Sequence, residues 1–331
     1  MAAVIPGPSG GDGSRDDGVR GGRRFRDADR GQLLLVSGLV VAVSLVALVV
    51  LLNASIYSEN VATRGVEAAD GEALEVRAAA VEETGKLIDG TNRNRLSDHD
   101  AAATAVENGT ADLDAHLARA YADRGGVTRV AADPSSIRGG SYVTGNLTAN
   151  RTGDSNATLA LDVAQIRGFV VAVDSANLSS TDASGADTNA FFLEFDDGVN
   201  ETREVYVYNE TGDVTVAVGE NGSAPTVVCS APAADRVAVD LTGERLGDEP
   251  CPGLWPSSAG ALGTPYDVTM ERTDAANGTV TATARPDTGD AVASDHTATP
   301  AVYDARIDLS YRTAELRFET TVRVAPGEPD A

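Results

Sequence analysis

Apolar and polar positions change their period twice along the chain. Leu33–Leu52 reads LLLVSGLVVAVSLVALVVLL, apolar at every angle, with no charge and no proline. As a helix it would span about 30 Å, the thickness of a bilayer core. Its eight Leu and seven Val, at about −0.3 to −0.6 kcal/mol each, favour insertion by roughly 4–9 kcal/mol. A buried core helix normally shows water one polar face, and this run has none. The pattern therefore predicts a transmembrane helix over 32–52.

Residues 53–125 read differently. They are rich in Ala and Glu and lack proline, which favours helix. Val61, Val66, Leu74, Val81 and Leu87 form a ragged apolar stripe, with breaks or kinks expected at Asp70-Gly71, Thr84-Gly85 and Asp89-Gly90. A second helix is expected from Ser97, with Leu113, Leu117 and Tyr121 on one face and Gly125-Gly126 as its stop. Together these predict a helical stalk.

From 126 to 331 the period becomes two. Leu159, Leu161 and Val163 alternate with Ala160 and Asp162, and Phe191, Leu193 and Phe195 with Phe192 and Glu194. Val205 and Val207, then Val214, Val216 and Val218, then Val237, Val239 and Leu241 continue the pattern. Leu316, Phe318, Thr320, Val322 and Val324 form the clearest strand, with Ile307, Leu309 and Tyr311 as its hairpin partner. A Gly- and Pro-rich stretch from Glu249 to Pro265 reads as one long loop. The expected fold class is α+β: an N-terminal transmembrane helix and helical stalk, followed by an antiparallel β-rich, sandwich-like extracellular domain.

Charge sets orientation and excludes one class of partner. The chain carries −24 overall. Arg20, Arg23, Arg24, Arg26 and Arg30 lie just before the apolar run, and residues after Leu52 sum to about −25. Positive flanks stay cytoplasmic, so the expectation is a single-pass cell-membrane protein with residues 1–31 inside and 53–331 outside. So negative a body repels nucleic acid, whose phosphates require Lys and Arg. Near-absence of lysine with abundant Asp is similar to the acidic bias of extreme halophiles.

Arg30-Gly31-Gln32, set directly before the apolar run, resembles the class III signal of archaeal type IV pilin-like proteins and archaellins. The resemblance covers Asp29 to about Asn60. It implies cutting by a prepilin-type peptidase between Gly31 and Gln32, removal of a disordered leader over 1–31, and assembly with other pilin-like proteins. The segment LLNASIYSENVATRGVE is also similar to haloarchaeal membrane proteins with pilin-like N-termini. One departure is Val36, where bacterial pilins carry a glutamate. An uncleaved single-pass anchor in the lipid bilayer is the rival.

Asn-X-Ser/Thr occurs ten times, at Asn53, Asn108, Asn146, Asn150, Asn156, Asn177, Asn200, Asn209, Asn221 and Asn277. Composition alone gives about two. All but Asn53, which abuts the apolar run, are candidate glycan acceptors, with accidental Thr-rich turns as the alternative. Cys229 and Cys251, the only cysteines, are candidates for a disulfide outside the reducing cytosol.

Chemistry is sparse. No G-x-S-x-G is present. Asp98-His99-Asp100 reads as solvated capping, and Asp196-Asp197-Gly198 and Asp182–Asp187 lack the alternating ligand spacing of a calcium loop. Trp255 reads as a loop anchor rather than a carbohydrate platform. No catalytic, cofactor-binding or metal-ligating residue is nominated, and no cofactor is expected. The expectation is a non-enzymatic membrane-anchored cell-surface protein, a pilin-like subunit or minor component. The alternative is a tethered extracellular binding or adhesion module with no filament; an ectoenzyme ranks third.

Overall fold

The computed structural model describes residues 44–46, 48–49, 71–147, 156–199, 201–256, 262–289 and 291–329. Contacts divide the chain into two units, 1–67 and 68–331. In the first, Ser44–Val46, Leu48 and Val49 are helical, with Leu45, Val46, Leu48 and Val49 exposed.

Three expectations are corrected. Among the described residues no helix is long and apolar enough to cross a membrane. That overturns the transmembrane, single-pass reading and the cell-membrane localisation built on it; most of 32–52 lies outside the described residues. The helix over 71–93 carries charge on its outer side, with Arg77, Glu82, Glu83 and Lys86 exposed. The expected fold class of N-terminal helix plus stalk gives way to a fold dominated by antiparallel β-sheet. The described part of the stalk forms two helices, α1 (71–93) and α2 (His99–Ala122). Both pack on the sheet.

The helix-on-sheet contact explains why the ragged stripe misled. The buried positions of α1 are Ala73, Val76, Ala80, Thr84, Gly85, Ile88, Thr91 and Asn92, while Leu74 is 61% exposed. Small residues recur every three or four positions, which lets the helix lie close to its neighbours. The expected break at Thr84-Gly85 is absent because Gly85 sits where the C-terminal segment passes: a Cβ there would stand 3.4 Å from Pro326. Helix α2 begins two residues after the expected start at Ser97 and ends three before Gly125. Asp98 is the N-cap, accepting from the Ala101 N–H at 2.7 Å, and Gly125 (φ +78°) follows the last turn. Leu117 and Tyr121 are buried with Ala102 and Val106.

The strands run β1 (Val127–Ala132), β2 (Arg138–Asn146), β3 (Ala157–Val173), β4 (Phe191–Asp196), β5 (Thr202–Glu210), β6 (Asp213–Glu220), β7 (Thr226–Pro232), β8 (Val237–Asp240), β9 (Arg245–Leu246), β10 (Glu249–Pro250), β11 (Tyr266–Glu271), β12 (Gly278–Pro286), β13 (Thr297–Arg312) and β14 (Arg317–Val324). A short helix, α3 (Ala186–Asn189), precedes β4. Hydrogen bonding gives the path β1-β13-β2-β12-β3-β11-β4-β5-β6-β7, with β14 added to β13 and β8, β9 and β10 hung in turn from β3. Every named strand pair is antiparallel.

Two long strands change partners midway and so organise the molecule. The first half of β13 pairs with β2; from Ala305 onward it pairs with β14 and β1, beneath the helices. The β3 strand pairs with β11 through its first half and with β8 through its last four residues. Its alternation slips at Asp162, a left-handed residue (φ 55°). Hence Ala160 is buried where the period-two reading placed Leu161.

From β3 the strands curl round in both directions until β7 lies against β9. There the Cys229–Cys251 disulfide, with Cα atoms 5.7 Å apart, joins the two arms. The result is a barrel-like curl whose seam is closed by a covalent bond rather than a hydrogen-bond ladder, so β7 keeps an unpaired edge beyond β6. Phe169, Val171, Phe191, Leu193, Phe195, Val205, Val207, Val214 and Val216 belong to its core.

A candidate ligand site at the barrel mouth

Alternation along β5 places Val205 and Val207 inside the barrel, and therefore Arg203 inside too, at the end of the strand. Its cross-strand neighbours are Phe195 on β4 and Glu220 on β6. Arg203 is 3% exposed. Its Nη1 pairs with Glu220, whose side chain is 53% exposed. Its Nε is buried and has no hydrogen-bond partner, an expensive condition for a charged group.

Above Arg203 lies a cavity of about 440 Å³, lined by Arg203, Val218, Glu220, Ser223, Ala224, Thr226, Val228, Gly253, Trp255 and Pro256. Cavities of roughly 300–1,000 Å³ at barrel mouths are habitual small-ligand sites. One wall is the β6–β7 turn. In this five-residue connection, Asn221 (φ 52°) and Gly222 (φ 67°) are the left-handed central pair of the turn closed by the Ser223 N–H to the Glu220 carbonyl at 2.9 Å. The Ser223 hydroxyl donates to the Glu220 carbonyl at 2.6 Å and fixes the turn. The opposite wall follows the disulfide. Glu244 accepts from the Gly253 N–H at 2.9 Å, and the Cys251 N–H donates to the Glu244 carbonyl at 2.7 Å. Trp255 is 4% exposed and meets Phe195 edge-on, with centroids 5.8 Å apart. It is the loop anchor that its proline-rich setting suggested.

The outer side of the same strands carries a carboxylate row. Glu194 on β4 faces Glu204 on β5 and Thr269 on β11, and Glu271 lies two residues along. Glu204 is buried; one oxygen accepts from the Gly222 N–H at 3.2 Å, and Oε2 has no partner. Desolvation first, then the charges of Glu271, Glu204 and Asp196, raise the Glu194 pKa above its usual 4.5. A raised carboxyl pKa lowers stability once pH exceeds it, and that cost vanishes below the unfolded value. Glu194→Gln should therefore melt above the parent at pH 7, by the roughly 0.2–1 kcal/mol of a like-charged cross-strand pair. The gap should close as pH falls through 4.5. Thermal scans across pH 3–8 would show it; a gap constant with pH would refute the repulsion.

The residues nominated from sequence are scattered. Gly31, Gln32, Asn150 and Asn200 lie outside the described residues. Cys229 and Cys251 are bonded. Asn108, Asn146, Asn156, Asn177 and Asn221 are exposed; Asn209 and Asn277 are half-buried. Several of these sequons also answer to the fold. A Cβ at Gly278 would fall 2.1 Å from the Ala172 carbonyl oxygen, and one at Gly109 would strike Leu87. Thr110 is buried and donates to the Val106 carbonyl. Asn209 caps the next turn by accepting from the Gly212 N–H at 3.1 Å, and the Asn221 amide donates to Glu201 at 2.9 Å.

The acidic turns are likewise spoken for. Asp98 caps α2, Asp182 accepts from Ser184 and Gly185, and Asp197 accepts from Val199, Glu201 and Gly263. His99 meets the Gly140 carbonyl at 3.0 Å. Among the described residues no group of three or more His, Cys, Asp or Glu is placed to hold a metal.

Sequence reading missed Arg203. Its signal was present: in TREVYVYNE the arginine falls in phase with Val205 and Val207, on the apolar face.

A family model described as a family of unknown function (DUF7261) matches residues 27–171. That segment carries α1, α2, β1, β2 and most of β3, and stops short of the barrel mouth. No curated protein and no solved structure matches the chain.

Proposed function

We propose that the chain is a non-enzymatic binding module working where disulfides persist, with the barrel mouth as its site. The observation that carries this reading is the buried, incompletely satisfied Arg203 at the floor of an open 440 Å³ cavity. A covalent seam beside the cavity holds its walls in place, and disulfides are a device of oxidising compartments. Trp255 is the only tryptophan in the chain and lines the cavity, so its emission reports occupancy. The test is a fluorescence and thermal-shift titration with hexanoate, hexanamide, glucose and sulfate. A saturable change with at least one probe supports the module; no change with any, up to tens of millimolar, refutes it.

A pilin-like filament subunit is the second reading. It is favoured by Leu45, Val46, Leu48 and Val49, apolar helical residues left exposed within their own unit. Copies of such a helix would cover one another in a filament. Mass analysis of the native N-terminus checks it: a chain beginning at Gln32 supports processing by a prepilin-type peptidase, and a chain retaining residues 1–31 removes the filament.

A further inference from the structure

We infer that the barrel mouth selects a small monocarboxylate with an apolar body, which competes with Glu220 for Arg203; this rests on the binding reading above. Three features of the cavity point to that class. First, the guanidinium is fixed and its carboxylate partner is not: Arg203 is 3% exposed, whereas the Glu220 side chain is 53% exposed and has water to swing into. Second, Glu220 engages Nη1 and leaves the buried Nε without a partner. A carboxylate meeting the guanidinium fork side-on makes two parallel hydrogen bonds and satisfies the Nε edge that Glu220 leaves open. Third, the rest of the wall includes Val218, Val228, Pro256 and Trp255, which reward an aliphatic or aromatic body rather than a bare inorganic ion. Charge limits the ligand further. The site offers one cation within a chain of net charge −24, so a dianion would meet more repulsion than attraction.

Glu220 then acts as an internal competitor, and its removal has a sign opposite to that of ordinary damage. Hexanoate should bind wild type and perturb Trp255 emission. Hexanamide, equal in size but uncharged, should bind about ten-fold more weakly, the difference between a charge-assisted and a neutral hydrogen bond. Glu220→Gln should tighten hexanoate about ten-fold, because the ligand no longer shares the guanidinium with a charged rival. Arg203→Met should abolish hexanoate binding, with far-UV circular dichroism to verify folding; Glu220→Gln decides the matter if that variant fails to fold. Hexanamide binding as well as hexanoate, or sulfate binding as well as hexanoate, overturns the carboxylate inference while the mouth remains a site. Unchanged or weakened hexanoate binding in Glu220→Gln overturns it too. Silence from every probe in every variant refutes the binding reading itself.

Discussion

Arg167→Met should lower the stability of the 68–331 unit by about 3–5 kcal/mol, the cost of breaking a buried charge network from one side. Arg167 is 1% exposed and sits where β3 bends at Gly168 (φ 56°). Its Nε donates to the Tyr303 carbonyl at 2.7 Å, Nη2 to the Val302 carbonyl at 3.0 Å, and Nη1 to Asp89 and to the Pro326 carbonyl, both at 2.8 Å. One side chain thus ties α1, β13 and the C-terminal segment to β3. Methionine fills similar volume but donates nothing, leaving two buried carbonyls and the half-buried Pro326 carbonyl without this donor and Asp89 without its ion pair. At about 2–4 °C per kcal/mol for a domain of this size, the melting temperature should fall by on the order of 10 °C. Asp89→Asn is the control. Asp89 is 35% exposed, and that variant keeps all three carbonyl bonds, so it should cost far less. Equal losses in the two variants would show that the ion pair, and not the carbonyl clamp, is what matters.

The second large effect belongs to the seam. Replacing both Cys229 and Cys251 with serine should cost about 3 kcal/mol, the chain-entropy value for closing a loop of this length; the two are 22 residues apart. The loss has a local signature as well. The β7 strand and the 251–256 segment are the two walls of the mouth, so parting them should expose Trp255 and shift its emission to longer wavelength. Glu194, on the outer side of the sheet, should titrate as before. Chemical denaturation of oxidised and serine forms, read by tryptophan emission and by circular dichroism, measures both changes. An unchanged midpoint would mean that core packing alone closes the barrel.

Much of the β-sheet was legible in the sequence. Phe191, Leu193, Phe195, Val205, Val207, Val214 and Val216 alternate in sequence and are all fully buried, because a strand's side chains must alternate sides whatever the strand pairs with. The final hairpin was legible for the same reason: Ile307, Leu309 and Tyr311 face inward on β13, and Thr313–Leu316 turns the chain into β14. The start of α2 was legible to within two residues, at Ser97 against the Asp98 cap, because capping is satisfied within four residues. The helices on the sheet were not legible as such. Ala73, Ala80 and Thr84 are weak hydrophobic signals, and only a closely approaching neighbour turns them into a buried face.

Local sequence, then, determined where strands lie, which of their faces is apolar, that two cysteines were candidates to pair with each other, and that the Asp98 cluster serves a helix cap. Tertiary structure alone decided that β3 and β13 change partners midway, that the sheet curls until β7 meets β9, and that Arg203 and Arg167 are buried for different purposes. The physical reason is range. Alternation and capping act over two to four residues. The partners of Arg167 lie 78 to 159 positions away, and a pairing of that reach leaves no period in the chain to read.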